Sequence, residues 1–204
     1  MSEKLPLLPE KELKIPKEDF LKTNEKRTTR IMSEFRKGLN FISSFKKSVA
    51  IFGSSCAKPH EKYYQEACKL SQILSKKGYT VITGGGPGIM EAANRGAIEA
   101  NGESVSLNIE LEKKQRTNNY VKKSVGFHYF FVRKVLFSLA CSDYVFFPGD
   151  YGTLNEFFEM ISLIQTKKIF KPKKVIVVGK EFWQPLFKWL KEDVYLKNKY
   201  IEKK

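Results

Sequence analysis

Short apolar runs recur along this chain, and most of them end in glycine just before a stretch of helical periodicity. Val49–Phe52 ends in Gly53-Ser54-Ser55, and Tyr79–Ile82 ends in Thr83-Gly84-Gly85-Gly86-Pro87-Gly88. Asp143–Phe147 ends in Pro148-Gly149-Asp150-Tyr151-Gly152-Thr153, and Val175–Val178 closes with Gly179. Ser104–Ile109 is a further run of strand character. Between them, Tyr64, Ala67, Leu70, Ile73 and Leu74 mark an amphipathic helix that stops at Gly78. Further helices are predicted from about Ile89 to Ala100, over Phe131–Cys141, over 153–166 and over Phe182–Leu190. In the 153–166 helix, Leu154, Phe157, Phe158, Ile161 and Ile164 are spaced as an inner face. Strands alternating with helices of this length predict an α/β fold: a Rossmann-like, doubly wound parallel sheet with helices on both faces. Ligands of such sheets bind beyond the carboxyl ends of the strands.

The flanks are less regular. Residues 1–18 carry Leu5-Pro6-Leu7-Leu8-Pro9 and Ile15-Pro16 among charges and read as an irregular arm. From about 19 to 45 an extra N-terminal helix is expected, with Ile31, Phe35, Leu39 and Ile42 on one stripe. Residues 110–124 read as a polar loop, followed by an apolar segment near 125–130. A chain of 204 residues is most simply one domain, here 19–204 including that helix.

No run of about 18 apolar residues exists, so no membrane span is expected. The N-terminus lacks the apolar centre of a signal peptide. Cys56, Cys68 and Cys141 are too few and too scattered for a disulfide framework or a zinc site. A cytoplasmic protein is expected. The net charge of +15 invites a nucleic-acid reading. However, only six of the 37 basic residues are Arg, and the lysines run from end to end rather than clustering. A solvated Lys-rich surface accounts for that distribution, and no nucleic-acid partner is expected.

Chemistry concentrates in the three glycine-bearing turns after 49–52, 79–82 and 143–147. Each alone is ordinary turn chemistry. Together, if their strands are neighbours, they converge on one crevice where backbone N–H groups at a helix start can hold an anion. No Lys-Ser/Thr follows the glycines as in a P-loop, and the first turn lacks the dinucleotide fingerprint. Glu156, one turn into its helix, either aims a carboxylate at the ligand or is a first-turn acid favoured by the helix dipole. Arg133 reads alone as a clamp or as a surface helix charge.

The stretches Gly84–Ala97 and Pro148–Glu156 resemble the two signature motifs of the LOG (Lonely Guy) family, also catalogued as "lysine decarboxylase-like". Phe131-Val132-Arg133-Lys134 resembles the family's Arg-Lys pair, with Arg133 and Glu156 separated by 23 residues. The longer N-terminal helix resembles a bacterial branch. The resemblance implies a nucleoside 5′-monophosphate phosphoribohydrolase, acting on AMP-like nucleotides, with cytokinin riboside 5′-monophosphates within its range. It further implies that Gly84, Gly85, Gly86, Gly88, Gly149, Gly152 and Thr153 hold the 5′-phosphate. Ser54 and Ser55 would lie beside the nucleotide, with Glu156 and Arg133 at the ribose and its glycosidic bond. The role of Lys134 is left open. The family forms at least dimers, so a homodimer or higher homo-oligomer is expected. No metal-ligand cluster is visible, so no metal is required, and no cofactor is expected.

The chemistry agrees. Breaking a C1′–N bond builds oxocarbenium character that a carboxylate stabilises, and Arg is a permanent cationic clamp. Asp150 departs from the family, which has glycine there. Its carboxylate points away, retunes substrate choice or abolishes activity. A non-catalytic nucleotide-binding or sensor protein using the same crevice is the alternative. His128 is expected to be a partly buried structural histidine, and Trp183 and Trp189 to be packing or interface residues.

Overall fold

The computed structural model describes residues 20–110, 117–169 and 174–197. The arm expected over 1–18 lies outside them. Helix α1 (Phe20–Ile42) leads into β1 (Ser48–Phe52), α2 (Lys62–Lys76), β2 (Thr80–Thr83), α3 (Ile89–Glu99) and β3 (Ser104–Ile109). β4 (Lys123–Phe127), α4 (Phe130–Ala140), β5 (Asp143–Phe146), α5 (Tyr151–Gln165), β6 (Lys174–Val177) and α6 (Lys180–Trp189) follow. A wider π-helical stretch, Leu190–Lys197, continues from α6.

All six strands pair in parallel, in the order β4-β3-β2-β1-β5-β6. The winding therefore runs outward from β1 in one direction through β4, then returns to β5 on its other side. The expected doubly wound fold is present. Alternation along the strands divides the core. Val49, Ile51, Val81, Val145 and Phe147 pack with α2 and α3 residues such as Tyr64, Ala67, Ile89 and Ala93. Ala50, Phe52, Ile82, Leu107, Phe127 and Phe146 face the layer containing Leu136, Phe137, Phe157 and Trp183. A strand buried on both faces is apolar nearly throughout, as β1 is from Val49 to Phe52; its polar first residue, Ser48, is buried with its hydroxyl donating to the Ala140 carbonyl.

Several details differ from expectation. β4 begins at Lys123, inside the stretch read as loop, with Lys123 and Ser124 paired to Val105 and Ser106. Its first two residues are exposed, so they carry no apolar signal. Helix α5 starts at Tyr151, two residues early, which puts Gly152 and Thr153 in its first turn. Its inner face is Leu154, Phe157, Met160 and Leu163, while Phe158, Ile161 and Ile164 are over a third exposed. Leu39 likewise points outward, because Gly38 brings α1 against Leu136 and Phe127. His128 is exposed rather than partly buried. Trp183 is buried and donates Nε1–H to the Val178 carbonyl at 3.0 Å, whereas Trp189 is exposed.

The N-terminal helix belongs to the core. Glu34, 8% exposed, accepts the backbone N–H groups of His128 and Tyr129, at 3.1–3.2 Å and 3.2 Å. Arg30 bonds Glu34 at 3.3 Å and Glu110 at 3.1 Å. One buried carboxylate thus holds the turn from which α4 starts.

Candidate functional site

The strand order reverses between β1 and β5, and there the turns of both, with that of β2, open a cleft of about 680 Å³. Gly53 and Ser55 leave β1, Gly84 leaves β2, and Asp150, Gly152, Thr153, Asn155 and Glu156 leave β5; all line it. Arg133 and Lys134 reach it from α4, and Met90, Ile109 and Phe130 supply apolar wall. The three glycine turns do converge.

They are also tied to one another. The Ser54 N–H donates to the Pro148 carbonyl at 2.9 Å, and the Ser54 carbonyl accepts the Ile89 N–H at 3.0 Å. Ser54 therefore joins the turns of β1, β2 and β5 through its backbone rather than lining the cleft. Gly88 has φ +70°, and a Cβ there would stand 2.3 Å from the Ser54 carbonyl oxygen. Only glycine fits such a backbone and such an approach. Gly88 starts α3 with no side chain on the helix N-terminus.

Beneath Gly84–Gly86 lies a polar network that sequence reasoning missed. Thr83 Oγ1 donates to Asn94 Oδ1 at 2.7 Å, and Asn94 Nδ2 donates to Ser104 Oγ at 2.9 Å. Asn118 Nδ2 reaches the carbonyls of Gly85 and Gly86, and Asn94 Oδ1, at 3.2, 3.0 and 3.0 Å. The Gly85 N–H is itself taken by Thr83 Oγ1 at 2.9 Å. Gly85 and Gly86 are thus bound from below, and Gly84 is the glycine of this turn that faces the cleft. Asn94 sat within the quoted motif, where a buried Asn in an apolar helix was the available signal. Asn118 lay in a polar stretch that gave none.

The charged pair comes from the two helices that flank the switch. Arg133 Nε donates to the Leu107 carbonyl at 2.7 Å, which pins the side chain to β3, and its guanidinium lies 5.1 Å from the Phe137 ring centre. Burial pushes the guanidinium below its ordinary range and Glu156 opposes this; an arginine so placed still remains protonated. Glu156 is 7% exposed, and its Oε2 has no hydrogen-bond partner. Burial pushes its carboxyl up, against the pull of Arg133, with Glu159 raising it further and Lys134 lowering it. Lys134 is engaged in an ion pair with Glu159.

Asp150 turns its side chain back on its own helix. Its Oδ1 accepts the Gly152 N–H at 3.1 Å, and it stands at the N-cap of α5 in an extended backbone, φ −90°. The position does not require the left-handed conformation, so glycine is not enforced there. Gly149 is fitted against Thr153, whose side chain is buried.

The model of a family described as "Possible lysine decarboxylase" matches residues 90–204, more than half the chain. The chain belongs to that LOG-like family. The match spans Arg133 and Glu156 and begins just after the Gly84–Gly88 turn. An uncharacterized protein of Archaeoglobus fulgidus is 27% identical over 118 residues, covering 58% of this chain and 76% of that one. Among solved structures, the molybdenum cofactor binding protein of the phototrophic bacterium Rippkaea orientalis aligns with a TM-score of 0.54. That alignment has 23% identity and covers 74% of this chain and 87% of the other. The molybdenum cofactor carrier protein of Chlamydomonas reinhardtii gives 0.52 at 20% identity, covering 74% and 86%. At such identities the likeness is one of fold. Among the described residues, no helix is long and apolar enough to cross a membrane.

Proposed function

We propose that this protein hydrolyses the N-glycosidic bond of nucleoside 5′-monophosphates, AMP-like purine nucleotides in particular, to free base and ribose 5-phosphate. The observation that carries the reading is the buried Glu156 carboxylate, with an unpartnered oxygen, on the same cleft as Arg133 and three glycine turns. Phosphate would lie along Gly84, Gly152 and Thr153, at the N-terminus of α5 and on the side of the cleft from which α3 starts. The apolar wall of Met90, Ile109 and Phe130 suits a base.

In the reaction, water oxygen bonds to C1′ as the C1′–N bond breaks with its electron pair leaving on the base. The base takes up a proton and the attacking water loses one, so the net change is addition of one water. Glu156 stabilises the oxocarbenium character and takes the water's proton. A carboxylate raised by burial is a better base than an ordinary one. Arg133 clamps ligand oxygens as a fixed cation.

A homo-oligomer is part of the proposal. Phe131, Val135 and Leu139 form an exposed apolar stripe on α4, and Phe158 and Ile161 are exposed on α5, the helix joined to α4 by the Lys134–Glu159 ion pair. Such a patch next to a cleft suits a second copy of the chain. We place the activity in the cytoplasm.

A binding or carrier protein using the same cleft is the second reading. It is favoured by Asp150, whose carboxylate sits on a helix N–H that the first reading gives to phosphate. The fold is also shared with proteins named as a cofactor binding protein and a cofactor carrier protein. Incubation with a panel of nucleoside monophosphates, with free base followed by chromatography, separates the two. Base release is expected; its absence from every nucleotide that binds would leave the carrier.

A further inference from the structure

We infer that Asp150 is a specificity-determining residue, a resident carboxylate that competes with the ligand's 5′-phosphate for the N-terminus of α5. This inference rests on the nucleotide reading of the cleft. Asp150 Oδ1 already accepts the Gly152 N–H at 3.1 Å, and both residues line the cleft together with Gly84 and Thr153. The positive end of a 15-residue helix is therefore met by a charge of the protein's own.

Neither cation of the cleft pairs with Asp150 itself. Lys134 is engaged by Glu159, and Arg133 is pinned by its Nε to the Leu107 carbonyl and shares the cleft with Glu156. An arriving phosphate must displace the carboxylate from Gly152 and then remain beside it, two anions in one wall. An unphosphorylated ligand meets no such cost, and its 5′-hydroxyl can donate to Asp150. The native site thus discriminates less between phosphorylated and unphosphorylated ligands than the same cleft with glycine at 150.

The test is titration calorimetry of AMP and of adenosine against the full chain, in the Glu156→Gln background that suppresses turnover. Asp150→Asn keeps an acceptor for the Gly152 N–H and removes the charge; Asp150→Gly removes both. The ratio of the adenosine Kd to the AMP Kd is expected to rise on the order of tenfold in Asp150→Gly and by less in Asp150→Asn. An unchanged ratio in both variants, with AMP still bound, overturns the inference and leaves the nucleotide reading standing. Failure of every variant to bind either ligand overturns both. Because Asp150→Asn retains the cap, a fold defect in Asp150→Gly does not remove the test.

Discussion

The guanidinium of Arg133 lies against Gly84, so closely that a Cβ at position 84 would stand 2.5 Å from its Nη2. The end of β2 and the first turns of α4 therefore meet at the floor of the cleft. Gly84→Ala is expected to shift Arg133 and Met90 rather than unfold the protein, because the obstructions are the Arg133 Nη2 and, at 2.8 Å, the Met90 Sδ, both far along flexible side chains. Base release should fall at least about tenfold in kcat/KM, with the thermal midpoint within a few degrees of wild type. Full activity at full stability would show that the position of Arg133 is unimportant.

Glu156→Gln should cut base release by roughly 100-fold or more, with circular dichroism unchanged. In wild type the acidic limb of the pH–rate profile should lie above the ordinary carboxylate value of 4.5, since burial raises this group. Stability follows the same sign. The folded chain holds the Glu156 proton to higher pH than the unfolded one, so stability associated with the neutral carboxyl is full below 4.5 and declines as pH rises through the folded value. Wild type measured against Glu156→Gln by denaturant titration should therefore lose relative stability as pH rises across that window.

Removing the Glu34 carboxylate strands two backbone donors at the start of α4. Glu34→Ala should cost about 1–3 kcal/mol, read from urea unfolding. Activity should fall too, although Glu34 does not line the cleft. A neutral effect on both would mean that water replaces the carboxylate without cost.

Asn94→Ala deprives Thr83, Ser104 and Asn118 of a shared partner under the glycine turn. A loss of about 1–3 kcal/mol is expected, together with a raised KM, because the Gly84–Gly86 backbone loses its support. An unchanged KM would separate this network from ligand binding.

Leu139→Glu on α4 tests the apolar stripe. Sedimentation should show the variant shifted to monomer, while wild type sediments as a dimer or larger. Wild type running as an active monomer would remove the oligomer from the proposal.

Most strand-turn-helix units could be read from the sequence because β1, β2, β5 and β6 carry consecutive apolar residues and the turn after each carries glycine. The convergence of Gly53, Gly84 and Gly152 followed from the fold class. The start of β4 could not be read, since Lys123 and Ser124 are exposed edge residues whose pairing lies in backbone bonds. The outward set of Phe158, Ile161 and Leu39 could not be read either, because periodicity marks an apolar face without saying what covers it. Asp150 could be recognised as a departure, but the bond it makes to Gly152 depends on α5 starting at Tyr151. Asn118 and Glu34 act on backbone groups far away in the chain, and no local pattern announces them.

Glu34 leaves the ribosome well before the groups it serves, for its donors lie 94 and 95 residues further along. During synthesis its carboxylate must stay in water until β4 and the start of α4 have emerged. The central strand β1 waits longer still, because its partner β5 runs only from Asp143 to Phe146. The cleft can therefore close only when most of the chain is available, and a nascent or truncated product would hold its glycine turns without a site.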